Sequence, residues 1–286
     1  MHFSIKYITQ RLYKKYKQKG IRGLLISIYN FINSQLNPKI VGEMPFKYLF
    51  IKKRRLIMKF ANDNLDKLGV GNFITLGNYT IDGDKINNES IIYTFGVGTS
   101  ISFEEKISEK FNCKVYCYDP TSIAKNFMHS HIFDKNKIKF LDYGLWIKDE
   151  KIKFYHQDIK NTSFKGGSIT NLFKNQSYDL LQCYKLKTLM KQNNHQSIDI
   201  LKLDIEGAAI RVLHDVIDSN IWPNQIIAEF EYAQGDKINE GEFNKWSLEL
   251  NSLLKQFRNK NYKIYHLPRI SHGPYSTIEV LIQKNL

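Results

Sequence analysis

Residues 90–121 read SIIYTFGVGTSISFEEKISEKFNCKVYCYDPT, and the fold class follows from them. Ile91, Ile92, Tyr93 and Phe95 form a short β-branched and aromatic run suited to a buried parallel strand, which Gly96 and Gly98 end in a tight turn. Ser102 and Glu105 have the spacing of a capping box, and Phe103, Ile107 and Phe111 recur every four residues as a buried helical stripe. Val115 to Tyr118 makes a second strand, which closes on Asp119 and Pro120. Gly98 and Asp119 are 21 residues apart, close to the separation at which a nucleotide-binding α/β unit sets a carboxylate against ribose hydroxyls. This order predicts a doubly wound α/β sheet.

The same stretch separates the candidate nucleotides. In a dinucleotide fold the third glycine of G-x-G-x-x-G lets the helix start approach a pyrophosphate, but Ile101 stands there. NAD is therefore disfavoured. A ribose-bearing ligand without a pyrophosphate, such as S-adenosylmethionine, needs only the first turn.

A second acidic strand end lies downstream, in Ile198–Leu213, IDILKLDIEGAAIRVL. The apolar run Ile198–Leu203 delivers Asp204 and Glu206 to its end before Gly207 opens a helix carrying Ile210, Leu213 and Ile217. Carboxylates at a strand's carboxyl end stand where such folds do chemistry, although Asp204 as a helix cap and Glu206 in the first turn would fit the macrodipole equally well.

Between the two strand ends, Thr121–His129 suits a short helix and Ile138–Trp146 a third strand, whose Asp142, Tyr143, Gly144 and Leu145 are placed to border an adenine. Ile152–Tyr155 continues as strand, Asn161–Asn175 is a polar loop long enough to serve as a lid, and Tyr178–Lys191 is amphipathic. Upstream, Ile57, Ala61, Leu65 and Leu68 share a helical face, and Phe73–Leu76 with Tyr79–Ile81 suggests a hairpin. Downstream, Gln225–Tyr232 is a strand, Phe243–Phe257 a helix, and Tyr262–Leu267 and Thr277–Gln283 two closing strands.

Charge divides the chain. Residues 1–60 hold fourteen Lys or Arg against one acid, Glu43, and so carry +13 of the chain's net +14. Ile5, Ile8, Leu12 and Tyr16, then Ile21, Leu24, Leu25, Ile28 and Ile32, recur at helical spacing in this basic extension. It suits an anionic membrane surface or simple packing on the main domain; tracking nucleic-acid phosphates is less favoured, because phosphate binding does not require the apolar spacing. The reading divides the chain into this extension and a domain over residues 61–286. No run of about 18 apolar residues occurs, and Ile21–Ile32 lacks the small-residue cleavage site of a secretory signal, so a cytoplasmic protein, peripheral at the inner membrane face, is expected. Three cysteines without a C-x-x-C pattern are expected to be buried thiols.

YTFGVGTSISFEEKISEKFNCKVYCYDPT, DYGLW, IDILKLDIEGAAIRVL and QIIAEFEY, in this order, resemble the S-adenosylmethionine-dependent methyltransferases of the FkbM type, most closely the branch called methyltransferase domain 22. The resemblance implies a seven-stranded class I methyltransferase fold. It also implies that Gly96 and Gly98 approach the methionine portion of the donor, that Asp119 holds its ribose, that the segment of Asp142, Gly144 and Leu145 lies near its adenine, and that Phe95, Ser100 and Pro120 belong to the same donor site. Thr94 stands where many such enzymes have an acid, and Ser100 replaces a further glycine. The family's tendency points to O-methylation of a carbohydrate or surface-glycan acceptor. Asp204 is the first candidate for the base that takes the acceptor's proton and Glu206 the second; no metal is assigned to them, the alternative being that they join Glu229 or Glu231 around a divalent cation. Two other readings stay open: an RNA methyltransferase using the basic arm, and a membrane-associated protein whose methyltransferase fold is vestigial.

Overall fold

The computed structural model describes residues 48–69, 71–156, 167–171, 177–232, 239–267 and 276–285. Two compact units divide the chain, Met1–Lys52 and Lys53–Leu286. Most of the basic extension and the greater part of the expected lid lie outside the described residues.

The second unit is organised by one eight-stranded sheet. In chain order its strands are β1 (Asp66–Lys67), β4 (Ile91–Phe95), β5 (Lys114–Tyr118), β6 (Ile138–Leu141), β11 (Ile200–Leu203), β12 (Gln225–Tyr232), β13 (Tyr262–Leu267) and β14 (Ser276–Lys284). Their lateral order is β1-β13-β14-β12-β11-β4-β5-β6. The run from β12 to β6 is parallel, while β14 lies antiparallel between β12 and β13. This is the class I arrangement with one strand more than the expected seven: β1, two residues long, adds parallel to β13 at the edge.

Short buried runs are strands here because both faces of the sheet are covered. Tyr93, Phe95, Tyr118, Leu201 and Leu203 face one apolar cluster, and Ile92, Val115, Cys117 and Ile200 face the other. Helix α1 (Tyr48–Asn64) buries Ile57, Phe60 and Ala61 in the first cluster. Helix α2 (Ser102–Phe111) buries Phe103 and Ile107 in the second. Helices α3 (Ser122–Ser130), α4 (Leu186–Gln192), α5 (Ala209–Asp218) and α6 (Glu240–Asn259) complete the layers. Cys113, Cys117 and Cys183 are buried free thiols. Among the described residues no helix is long and apolar enough to cross a membrane.

Two smaller sheets flank the site. β2 (Phe73–Leu76) and β3 (Tyr79–Asp82) form the expected hairpin. β7 (Gly144–Leu145), β8 (Glu150–His156), β9 (Gly167–Ser168) and β10 (Tyr178–Tyr184) form a four-stranded sheet that the sequence reading did not anticipate. The expected third strand, Ile138–Trp146, is split at Asp142 and Tyr143, because β6 belongs to the main sheet while β7 pairs with β10. The amphipathic Tyr178–Lys191 is likewise two elements, β10 and the start of α4, whose apolar residues happen to fall at helical spacing. The capping box does not form. Ile101, rather than Ser102, is the N-cap of helix α2, and the Glu105 carboxylate instead pairs with His131 Nε2 at 2.8 Å.

Candidate active site

A cavity of about 340 Å³ opens at the carboxyl ends of β4, β5 and β11, where chain order reverses across the sheet. Such a switch point leaves a crevice between diverging connections, and ligands of open α/β sheets bind there. Residues of both acidic strand ends, Asp119 and Asp204, line this one cavity.

The glycine loop is folded tightly against its neighbours. Gly96 has φ +90°, and a Cβ there would lie 1.9 Å from the carbonyl oxygen of Asp204, so only glycine lets the β4 and β11 connections meet. Gly98, at φ +54°, turns the chain toward α2. Asp119 fastens the loop from the side. Its Oδ2 accepts the backbone N–H groups of Val97 at 3.0 Å and Gly98 at 2.9 Å, while its Oδ1 accepts the Thr121 N–H at 2.9 Å and the Thr121 hydroxyl at 2.6 Å. Four donors fill the usual capacity of a carboxylate. The rings of Phe95 and Tyr118 stack with centroids 4.7 Å apart and line the cavity beside Leu145.

The second strand end is built differently. Glu206 has φ +44° and Gly207 φ +83°, two successive left-handed residues, the first of them non-glycine and strained. The turn is pinned from the small sheet, where the Ser168 hydroxyl donates to the Glu206 carbonyl at 2.7 Å and Thr170 Oγ1 donates at 3.3 Å. The Gly207 N–H donates to Glu231 Oε2 at 2.9 Å. Tyr79, from β3, donates its hydroxyl to Asp204 Oδ2 at 2.7 Å; burial and then the Asp204 charge raise its pKa, so it holds its proton. Burial and then the Asp204 charge push the Glu206 carboxyl up to about 8. Glu231 is raised well above the carboxylate range by burial and by the charges of Glu206 and Asp204. Near neutral pH Glu206 therefore relieves the crowding by keeping its proton.

One carboxylate oxygen each from Asp204, Glu229 and Glu231 lies within 4.8 Å of the others, a hard-oxygen set of the kind that takes a divalent cation. Beneath the loop, Cys117, Thr94 and Lys202 lie side by side across β5, β4 and β11 on the face covered by α2. Lys202 is 3% exposed, with Nζ 3.4 Å from the Gly96 carbonyl, 3.6 Å from Glu104 Oε1 and 4.5 Å from the Tyr79 ring centre. Burial pulls its ammonium down, but the charges of Glu104, Asp204 and Glu229 outweigh that and leave its pKa raised.

Most of the sequence-predicted residues come together: Phe95, Gly96, Gly98, Ser100, Asp119, Pro120, Gly144, Leu145, Asp204 and Glu206 all line the cavity. Asp142 does not. It is exposed and its Oδ2 pairs with Lys125 Nζ of α3 at 2.8 Å, because the break between β6 and β7 turns it outward. Sequence reasoning missed Tyr79, Glu104, Lys202, Ser168 and Thr170. Lys202 did leave a signal, a charged residue inside the apolar run ILKL.

A family model described as the methyltransferase FkbM domain matches residues 84–264, well over half of the chain. No curated protein matches. Among solved structures, the fibrillarin pre-rRNA processing protein of Methanococcus jannaschii has a TM-score of 0.38 at 10% identity, over 77% of this chain and 86% of that one. The S-adenosylhomocysteine-bound Podospora anserina methyltransferase PaMTH1 has a TM-score of 0.35 at 9% identity, over 100% and 98%. A precorrin-6y C5,15-methyltransferase of Geobacter metallireducens has 0.36 at 8%, over 71% and 85%.

Proposed function

The chain belongs to the FkbM methyltransferase family and takes its methyl from S-adenosylmethionine, and on that premise we propose that it methylates a hydroxyl oxygen of a carbohydrate, free or part of a surface glycan. The cavity suits the donor on chemical grounds. It offers an apolar wall at Phe95, Tyr118 and Leu145, and the carboxylate of Glu104, whose buried Oε1 has no hydrogen-bond partner among the described residues, for a cation. Phe95, Gly96, Gly98 and Ser100 would hold its methionine end, Pro120 and the Asp119 latch its ribose side, and Gly144 and Leu145 its base. When bound, S-adenosylmethionine supplies an electrophilic methyl on a sulfonium centre.

What remains for the protein is to orient the acceptor and to take its proton, and Asp204 is the residue for that step. It reaches the cavity, and the Tyr79 hydroxyl fixes one of its oxygens, leaving the other to accept the hydrogen of an alcohol. Glu206, protonated near neutral pH, keeps a second negative charge from crowding Asp204.

The observation that carries the acceptor class is a neighbouring groove of about 530 Å³ that shares the Gly207 turn with the site. It presents Trp246, backed by the buried Tyr232 with ring centres 5.6 Å apart, among the carboxyl groups of Glu231, Glu242 and Glu249. Aromatic faces pack against the C–H faces of a sugar ring while carboxylates accept its hydroxyls. The same acids disfavour the phosphates of RNA. The basic extension is proposed to rest on an anionic membrane surface, where lipid-linked glycans are found, and a cytoplasmic location is part of the same proposal.

The test is transfer of labelled methyl from S-adenosylmethionine to a panel of simple glycosides and, separately, to RNA. Alkali-stable methyl ether in a glycoside supports the reading. Label in RNA alone, with binding that falls steeply with salt and vanishes on deletion of residues 1–60, would replace it with the RNA alternative. No binding of S-adenosylmethionine by calorimetry would favour a vestigial fold.

A further inference from the structure

We infer that Glu104, on helix α2, receives the α-ammonium of the donor's amino-acid end, with Lys202 as its fixed counter-charge. This rests on the donor being S-adenosylmethionine.

The position two residues before the first loop glycine is Thr94, which is buried on β4 and offers no charge. A carboxylate nevertheless stands beside Lys202, the neighbour of that position on β11. Glu104 comes from the first turn of α2, is 2% exposed and lines the cavity together with Gly96, Asp204 and Lys202. Its Oε1 lies 3.6 Å from Lys202 Nζ, beyond hydrogen-bond length, and has no hydrogen-bond partner among the described residues. Lys202 is itself held by the Gly96 carbonyl and the Tyr79 ring, 3.4 and 4.5 Å away, so the pair is attracted but not joined. A buried carboxylate oxygen without a donor is costly, and a ligand ammonium brings three donors. The zwitterionic end of the donor also carries a carboxylate, for which Lys202 is the buried cation. Sheet register puts Lys202 directly beside Thr94, so the charge absent from β4 is supplied from two flanking elements.

The experiment compares S-adenosylhomocysteine with its deamino analogue, which lacks only the α-amino group, by calorimetry on the full chain. In the wild type the analogue is expected to bind about tenfold or more weakly. In Glu104→Gln the two ligands should bind within about twofold of each other. Melting temperature checks the fold; if Glu104→Gln leaves Lys202 uncompensated and the protein unfolded, Glu104→Gln/Lys202→Met removes both buried charges and carries the same comparison. A wild type that does not distinguish the ligands, or a variant that distinguishes them as the wild type does, overturns the inference. Failure of the wild type to bind S-adenosylhomocysteine at all overturns the donor assignment as well, and is thereby told apart.

Discussion

Asp119 and Asp204 end neighbouring parts of the same sheet, each after an apolar strand, yet their surroundings are opposite. Four protein donors surround the Asp119 carboxylate and close the glycine loop on it. Asp204 receives the Tyr79 hydroxyl and faces Glu206 and Glu231, both with pKa values raised first by burial and then by neighbouring charge, that of Asp204 included. A saturated carboxylate is a latch, and its worth lies in geometry. Asp204 lines the cavity with one oxygen held by Tyr79, and its worth lies in the acceptor it can meet. Identical sequence signatures can thus serve structure in one place and chemistry in the other, and the local hydrogen-bond census separates them.

Substitutions can break or sharpen this contrast. The largest effect is expected for Asp204→Asn, which keeps the size of the side chain and the Tyr79 partner but removes the base: turnover should fall by about 10²–10⁴-fold, measured as methyl transfer at saturating donor, with the melting temperature little changed. Asp119→Ala leaves the Val97 and Gly98 N–H groups and the Thr121 side chain without their acceptor. A stability loss of about 2–3 kcal/mol in denaturant unfolding is expected, together with loss of S-adenosylhomocysteine binding.

Glu206→Gln should act in the other direction, with a sign that depends on pH. The carboxyl titrates at about 8 in the folded chain against an ordinary 4.5, so below 4.5 both states are protonated and the group is neutral to stability. As pH rises from there toward 8 the unfolded chain sheds its proton while the folded one keeps it, and stability is lost. The variant should therefore be more stable than wild type by roughly 4 kcal/mol at pH 8 and equal to it near pH 4, as read from melting curves across that range. An unchanged pH dependence would remove the crowding argument. The smallest effect belongs to Ser168→Ala, which leaves Thr170 to hold the Glu206 carbonyl and should cost about 1 kcal/mol with a modest fall in turnover.

The strands that carry the site were legible because their apolar runs end abruptly in glycine or aspartate, as at Phe95, Tyr118 and Leu203. The glycine loop and D-I-E-G could be placed for the same reason. What stayed hidden depends on contacts between residues far apart in sequence. Tyr79 meets Asp204 across 125 residues and Ser168 meets the Glu206 carbonyl across 38, and neither leaves a local pattern. Glu104 sits in the first turn of a helix, where an acid needs no special explanation. β10 escaped because it is exposed at Tyr178 and Leu180, so it lacks the apolar density of the core strands. Asp142 was placed at the cavity by its position after a strand, but the chain leaves the main sheet there and carries it to Lys125.

The central claim, that one acidic strand end secures the donor loop and the other serves the acceptor within a single cavity, has a direct test that needs no knowledge of the acceptor. S-adenosylhomocysteine is titrated calorimetrically into wild type, Asp119→Ala and Asp204→Asn. Binding abolished in Asp119→Ala and retained within a few-fold in Asp204→Asn is the predicted result. Equal loss in both, or wild-type affinity in Asp119→Ala, would contradict it.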